Sequence, residues 1–162
     1  MPPKGSSQVV RNAFAPSTAP TDLKNRTLPI RILIADDDST IRALLRRMLE
    51  TNSEWFVCSD VANGQDAIDA ARMLKPDLIV MDLAMPAMNG LRAAEEISRS
   101  NPGVPMLLLT VHDLTRQLIE EAQKAGFRGA VAKSNGTEVI EGVKTLLRNE
   151  TFFRTNGEIS AA

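Results

Sequence analysis

An apolar run that ends in an aspartate is the feature that most constrains the fold of this chain. Leu78 to Met81 are apolar, Asp82 follows them directly, and Pro86 and Asn89-Gly90 place a loop behind it. A short apolar run bounded by turn residues is typical of a buried parallel strand. Open α/β sheets bind ligands at the carboxyl ends of their strands. A carboxylate at that place is a nucleophile, a metal ligand or a helix cap.

The same succession of apolar strand and amphipathic helix repeats along the chain. Five strands that alternate with five helices predict a parallel sheet covered by helices on both faces. In the first helix, apolar residues recur at the spacing of a half-buried helix that begins at an Asp38 or Ser39 N-cap; they are Ile41, Leu44, Leu45, Met48 and Leu49. The predicted strands are 30–35, 55–59, 77–81, 106–109 and 127–132, and the predicted helices are 39–49, 65–74, 91–100, 114–125 and 137–148.

Composition restricts the classes of protein to which the chain can belong. Its 162 residues are enough for one domain with a real core, and its net charge of -1 gives no basic field for nucleic acid. The single cysteine, Cys58, cannot form an internal disulfide. No apolar run approaches the roughly 20 residues of a membrane span, and the N-terminus lacks the apolar core of a signal peptide. We therefore expect a cytoplasmic protein with no membrane partner.

The two ends of the chain differ from its centre. Residues 1–28 are rich in Pro, Ser and Thr and carry a net charge of +3, which predicts a disordered basic N-terminal arm. The alternative is a basic tail that binds a partner or an acidic surface. Residues 29–148 form the ordered domain. Residues 149–162 show no clear pattern and are interpreted as a C-terminal tail or the start of a linker.

Polar side chains stand at four predicted strand ends. Asp36 and Asp37 follow the first strand, Asp82 the third, Thr110 the fourth and Lys133 the fifth. If the first and third strands are neighbours, three carboxylates meet and would repel one another. A divalent cation resolves the repulsion, and carboxylate oxygens favour Mg²⁺ or Mn²⁺. One cysteine and one histidine provide no zinc set.

A metal beside one carboxylate, with a lysine and a hydroxyl nearby, is a layout for phosphoryl transfer to the carboxylate. Each residue alone has a simpler interpretation: Asp37 or Asp82 as a helix cap, Thr110 as a turn residue, and Lys133 as a solvated side chain. The order and spacing of the whole set favour the functional interpretation.

At this point the sequence resembles a response-regulator receiver domain of two-component signalling, over residues 29–148. The motifs that carry the resemblance are ILIADDD, DLIVMDLAMPAMNG, LLLT and VAKS. The ADD opening, the GFRGAVAKS ending and the NETFF after the last helix resemble the NarL/LuxR-like subfamily. The resemblance implies a flavodoxin-like, doubly wound five-stranded parallel sheet in the order 2-1-3-4-5, with five helices.

The resemblance also implies a role for each site residue. Asp82 matches the phosphoacceptor, which would receive a phosphoryl group from a sensor histidine kinase with Mg²⁺ as cofactor. Thr110 and Lys133 match the residues that contact the phosphoryl group. The implied metal ligands are Asp36, Asp37, Asp82 and the backbone carbonyl of Ala84. Such a domain catalyses only its own phosphorylation and dephosphorylation, and a homodimer is a possible outcome.

Two positions depart from the family pattern. The residue after the switch threonine is usually small, whereas here it is Val111, which predicts a narrower entrance and slow modification. The switch position three residues before the lysine is usually Tyr or Phe, whereas here it is Ala130, which predicts a weak conformational response. NarL/LuxR-type regulators usually continue into a helix-turn-helix domain, for which the 14 residues after Arg148 have no room. We expect a stand-alone receiver or a receiver cut from a longer regulator.

Three functions compete at this level. The first is a phospho-acceptor switch that controls partner binding or self-association, in many relatives transcription regulation. The second is a phosphorylation-independent interaction module in which Ala130 marks the loss of the usual switch. The third is a haloacid-dehalogenase type enzyme. That class needs a second aspartate two residues after the nucleophile, where this chain has Ala84.

Overall fold

The computed structural model describes residues 28–155, in which five helices surround one sheet. The predicted basic arm, apart from residue 28, and residues 156–162 of the predicted tail lie outside the described residues. The strands are β1 (Ile30–Ala35), β2 (Trp55–Val61), β3 (Leu78–Asp82), β4 (Met106–Thr110), β5 (Gly129–Ala132) and β6 (Phe152–Phe153). The helices are α1 (Ser39–Glu50), α2 (Gly64–Leu74), α3 (Gly90–Ser100), α4 (Arg116–Ala125) and α5 (Gly136–Leu147).

The strand order is β2-β1-β3-β4-β5-β6, and every pairing is parallel. This confirms the predicted flavodoxin-like sheet and its order 2-1-3-4-5. The sheet has six strands rather than five, because β6 pairs with the outer side of β5 through Gly129 with Phe152 and Ala130 with Phe153. Two residues are too few to show an alternating pattern in the sequence, which is why β6 was not predicted.

Helices cover the sheet on both faces, and each face has its own apolar core. α2, α3 and α4 pack small residues against one face, whereas α1 and α5 pack Leu and Val against the other. Neighbouring residues of β1 alternate between them: Leu33 belongs to the first core and Ile34 to the second. The strands are therefore buried on both sides, which explains their continuous apolar sequence. Among residues 28–155, none of the helices has the length and apolar character that crossing a bilayer requires.

Two apolar side chains, one on α1 and one on β2, are largely exposed. Leu44 fits the helical spacing of α1, but its side chain is 58% exposed, and Leu45 and Leu49 make the buried contacts instead. Phe56 on β2 is 48% exposed because β2 is the edge strand of the described sheet. Periodicity thus located α1 correctly and made its apolar stripe too wide.

Side chains cap the amino-terminal ends of all five described helices, next to the carboxyl ends of the strands. In each case a side-chain oxygen accepts a hydrogen bond from a backbone N–H of the first turn, which otherwise has no partner within the helix. The caps are Asp38, Asn63, Asn89, Thr115 and Asn135. Asp38 rather than Ser39 is thus the cap of α1. α4 begins at Arg116 instead of Leu114 because Thr115 caps it, and Gly126 ends it in the left-handed conformation, with a φ of 109°.

Gly90, the first residue of α3, packs directly against the backbone that carries Asp82. Its N–H donates to the Leu83 carbonyl at 2.8 Å, and an added Cβ would collide with the Asp82 carbonyl oxygen. We predict that Gly90→Ala lowers the free energy of unfolding by about 1–3 kcal/mol, as forced overpacking does. Urea unfolding measures the change.

Gly103→Ala is the matched control, because an added Cβ there would meet no atom within 4 Å. We expect its free energy of unfolding to stay within about 0.5 kcal/mol of wild type. Equal stability of the Gly90→Ala variant and wild type would contradict the tight contact between α3 and β3.

Candidate functional site

The predicted polar residues converge because their strands are parallel and lie side by side. β1 pairs with β3 so that Ala35 lies opposite Met81, which places the next residues, Asp36 and Asp82, beside each other. β4 follows β3 in the sheet and ends at Thr110. Lys133 comes directly after β5. All four positions therefore lie at one edge of the sheet.

Three carboxylates form the acidic part of the site. One oxygen from each of Asp36, Asp37 and Asp82 lies within 4.8 Å of the others. Asp36 and Asp82 are buried, whereas Asp37 is exposed. The Asp38 N–H donates to Oδ1 of Asp36 at 2.9 Å, which orients that carboxylate. The cluster therefore has a fixed, buried base and one side open to solvent.

Lys133 joins the two buried carboxylates. Its Nζ lies 2.7 Å from Oδ2 of Asp36 and 3.1 Å from Oδ2 of Asp82. Burial by itself would lower the pKa of Lys133, but the two carboxylates outweigh it and the net pKa is raised above its ordinary value. The ammonium is therefore retained at neutral pH and balances one of the two negative charges.

Asp82 is held in an environment that disfavours its own ionisation. Burial raises the pKa of Asp82 above its ordinary value of 3.8, and the charge of Asp36 adds to the effect. The hydrogen bond and charge of Lys133 and the Ala84 N–H, 3.4 Å from Oδ1, offset only part of it. Lys133 therefore neutralises the Asp82 carboxylate only in part, and a further positive charge beside it would stabilise its ionised form.

The residues present fit a hard divalent cation. Asp36 Oδ2 is fully buried, and its partner is the ammonium of Lys133 at 2.7 Å, which also pairs with Asp82. One ammonium shared between two buried carboxylates leaves negative charge in the cluster, which a divalent cation would offset. The cluster offers three carboxylate oxygens and is open to water on one side. Carboxylate oxygens together with water are the ligands that Mg²⁺ prefers.

Thr110 and Lys133 are linked through the backbone at the ends of β4 and β5. The Lys133 N–H donates to the Thr110 carbonyl at 2.9 Å, and the buried Thr110 Oγ1 accepts the His112 N–H at 2.9 Å. These bonds fix the threonine hydroxyl and the base of the lysine side chain relative to each other. His112 itself lies on the exposed loop after β4.

The two positions that depart from the family pattern have opposite environments. Val111 is 75% exposed, on the surface of the loop after β4. Ala130 is 1% exposed in β5, and its neighbour on β6 is Phe153. Phe153 packs on the same apolar core as Ala130. An aromatic ring is therefore present on this face of the sheet, on the adjacent strand instead of on β5.

The family model for the response regulator receiver domain matches residues 32–144. The chain belongs to this family. The match begins within β1, ends within α5 and includes every site residue named above. The resemblance drawn from the four motifs is therefore confirmed.

Relatives of the receiver domain include several transcriptional regulators. The chain is 32% identical over 127 residues to the transcriptional regulatory protein YxjL of Bacillus subtilis, covering 78% of this chain and 58% of that protein. It is 36% identical over 116 residues to the transcriptional regulatory protein PdtaR of Mycobacterium tuberculosis, covering 72% of this chain and 55% of that protein. The chain thus spans little more than half the length of these curated relatives.

Solved structures of receiver domains share the fold. A LuxR-family two-component response regulator from Aurantimonas sp. superposes with a TM-score of 0.74 at 26% identity, covering 78% of this chain and 90% of that one. The receiver domain of the NarL regulator from Mycobacterium tuberculosis gives a TM-score of 0.70 at 25% identity, covering 76% and 100%. Both agree with the predicted NarL/LuxR-like subfamily.

Sequence reasoning missed two groups at this site. The first is Arg42 with Asp60, which form an ion pair at 2.9 Å between α1 and β2. The second is Phe153, because β6 was interpreted as tail. The only sequence feature that pointed to Phe153 is the aromatic pair Phe152-Phe153 after the last helix. No sequence feature pointed to Arg42.

We predict that Asp82→Asn stabilises the metal-free receiver at neutral pH. Because its folded pKa is raised, Asp82 binds its proton more tightly in the folded than in the unfolded state, so its ionisation destabilises the fold as pH rises above 3.8. The advantage of the Asp82→Asn variant should therefore be present at pH 7 and disappear as pH falls through 3.8. Urea unfolding from pH 3 to pH 8 measures it.

Asp69→Asn, on the exposed face of α2, is the control for loss of one carboxylate. We expect its effect on the free energy of unfolding to stay within about 0.5 kcal/mol. A lower stability of the Asp82→Asn variant at pH 7 would show that Lys133 gains more from Asp82 than burial of the carboxylate costs.

Proposed function

We propose that this receiver is a phospho-acceptor switch in which Asp82 takes a phosphoryl group from a sensor histidine kinase, in a reaction that requires Mg²⁺. The modification then alters partner binding or self-association. The observation that carries the proposal is the buried ion-pair cluster at the carboxyl edge of the sheet, in which Lys133 lies within 3.1 Å of both Asp36 and Asp82.

The transfer step uses the Asp82 carboxylate as nucleophile. An Oδ atom forms a bond to phosphorus while the bond between phosphorus and the donor breaks, and that electron pair leaves with the donor. Only the ionised carboxylate attacks, and a cation bound beside Asp82 would favour this ionised form. The product is an aspartyl phosphate, and no other residue becomes covalently modified.

The other site residues stabilise charge on the phosphoryl group. We assign the cation to Asp36, Asp37, Asp82 and the Ala84 carbonyl, and when bound it would neutralise charge on the phosphoryl oxygens. Lys133 already contacts Asp82 and can transfer one of its three N–H donors to a phosphoryl oxygen. The Thr110 hydroxyl, whose oxygen accepts from His112, would donate its hydrogen to the same group.

The relatives support a signalling role instead of enzymatic turnover of another substrate. The protein-glutamate methylesterase/protein-glutamine glutaminase 3 of Paramagnetospirillum magneticum is 39% identical over 118 residues, but the match covers only 31% of that protein. Transcriptional regulators match a similar share of this chain, 78% and 72% against 69%. Because proteins with different named activities share this unit, we propose that the unit receives the signal and that the output lies elsewhere. We place it in the cytoplasm, where a kinase domain would reach it.

A second candidate function rests on Ala130. Ala130 is buried between β4 and β6, and Phe153 covers its side of the sheet. Because an aromatic side chain already packs on this face of the sheet, we expect its side chains to rearrange less when Asp82 is modified. The alternative is therefore a phosphorylation-independent interaction module that has the acidic site and lacks the usual response.

We predict that acetyl phosphate with Mg²⁺ adds one phosphoryl group to Asp82. The metal and Lys133 together offset the repulsion between donor and carboxylates, so the reaction should require the metal. Intact mass measures the addition, and peptide mapping after borohydride reduction locates it. Asp82→Asn should remain unmodified, whereas Asp69→Asn should react as wild type does. Modification of another residue, or none despite Mg²⁺ binding, would favour the interaction module.

We predict that Ala130→Tyr destabilises the receiver by about 1–3 kcal/mol, because a ring at this buried position must displace Phe153 or its neighbours. The Ala130→Tyr/Phe153→Ala variant supplies room for the new ring and should recover part of the loss. A double-mutant cycle from urea unfolding measures the coupling. Additive effects of the two substitutions would show that the ring of Phe153 does not occupy this space.

A further inference from the structure

We propose that Arg42 is a positioning residue that fixes the Asp36–Asp37 peptide for cation binding. The inference rests on the proposed function, in that Asp36 and Asp37 hold the cation. Arg42 Nη1 donates to the backbone carbonyl of Asp36 at 2.8 Å, and its Nε donates to Oδ1 of Asp60 at 2.9 Å. One guanidinium therefore joins the acidic cluster to β2.

The contact acts on the peptide that joins the two acidic residues. The Asp36 carbonyl belongs to the planar peptide unit that leads into Asp37. Holding this oxygen fixes the plane of the peptide and so the direction in which the chain enters Asp37. Asp37 is the exposed member of the cluster, so core packing does not orient its side chain. Fixing the peptide is thus a direct way to keep its carboxylate near the other two.

Asp60 is itself held firmly enough to orient Arg42. Its second oxygen, Oδ2, accepts from Arg46 Nη2 at 2.5 Å, and Arg46 Nη1 donates to the Val57 carbonyl at 3.1 Å. The backbone of β2 also holds Asp36 from the other side, since the Asp36 N–H donates to the Val61 carbonyl at 3.0 Å. Both backbone groups of Asp36 are therefore fixed, one by β2 and one by Arg42.

The stability of α1 does not account for an arginine at this place. Arg42 lies in the first turn of α1, and the N-terminal end of a helix carries partial positive charge that disfavours a cation. Apart from the N-cap Asp38, which bonds to the backbone N–H groups of Thr40 and Ile41, the first turn contains no acidic residue that would offset the charge. The partners that compensate Arg42 are Asp60 and the Asp36 carbonyl, so the contacts to the site explain its position.

Arg46 provides a matched control, because it shares the carboxylate of Asp60 but does not contact Asp36. Arg42→Lys and Arg46→Lys both keep the charge and lose the planar fork of donors. We expect Arg42→Lys to weaken Mg²⁺ binding about tenfold, in the range seen when groups that orient metal ligands are removed. Arg46→Lys should weaken it by less than about threefold. Calorimetric titration of the whole chain with Mg²⁺ measures both.

A second readout needs no metal. The Asp38 N–H donates to Asp36 Oδ1, so its hydrogen exchange reports how well Asp36 is held. We expect this amide to exchange several times faster in the Arg42→Lys variant than in the Arg46→Lys variant, under conditions where the two have the same free energy of unfolding. Equal exchange and equal Mg²⁺ affinity in the two variants would overturn the inference.

Two further outcomes separate this inference from the proposed function. If the wild-type chain does not bind Mg²⁺, the proposed metal dependence fails, and the exchange of the Asp38 amide alone decides whether Arg42 positions Asp36. If Arg42→Lys does not fold, Asp60→Asn replaces it, because it removes the charge that orients Arg42 and leaves the guanidinium in place. Wild-type Mg²⁺ affinity and Asp38 exchange in the Asp60→Asn variant would then overturn the inference.

Discussion

The ion pairs of Lys133 with Asp36 and Asp82 are the interaction on which the site depends. Two carboxylates are buried side by side, which is unfavourable unless a cation accompanies them. Neighbouring strands are about 4.8 Å apart, and β4 lies between β5 and β3, so the cation must reach across the end of β4. A lysine side chain is long enough to do so, and the Thr110 carbonyl fixes its backbone at the starting point. The need for one flexible cation thus brings the ends of three strands, β1, β3 and β5, to a single site.

The sequence was sufficient to predict that these polar residues converge because the strands are parallel and buried. Apolar runs marked the strands, and the polar residue after each run marked its carboxyl end, so Asp82, Thr110 and Lys133 needed no knowledge of long-range pairing. Only the pairing of β1 with β3 could not be read from these apolar runs. It was first assumed and then implied by the family resemblance. The burial of Leu44 was predicted wrongly because helical spacing defines a face of α1 without fixing how far the sheet extends under it.

The Arg42–Asp60 pair could not be predicted, because it depends on the register between β1 and β2. The register shifts by one residue between Ile32 and Leu33, so that Asp60 lies opposite Ile34 and Val61 opposite Ala35. Without the shift, Asp60 would lie opposite Ala35. A bulge is a product of the whole sheet and leaves no periodic mark in the sequence. For the same reason, the position of Phe153 beside β5 could not be predicted, because it depends on the pairing of β6 with β5.

The acidic cluster is held from two sides by different means. On one side, β2 fixes the backbone of Asp36 through its own Val61 carbonyl and through Arg42, which leaves the carboxylates little freedom. On the other side, Lys133 contacts carboxylate oxygens only by the tip of a flexible chain, and its anchor β5 has four residues. A change of charge at Asp82 acts directly on Lys133, whose Nζ lies 3.1 Å from its Oδ2. If Asp82 is modified as proposed, the response should therefore pass toward β5 and β6, where Phe153 packs on the same apolar core as Ala130, and leave β1 and β2 in place.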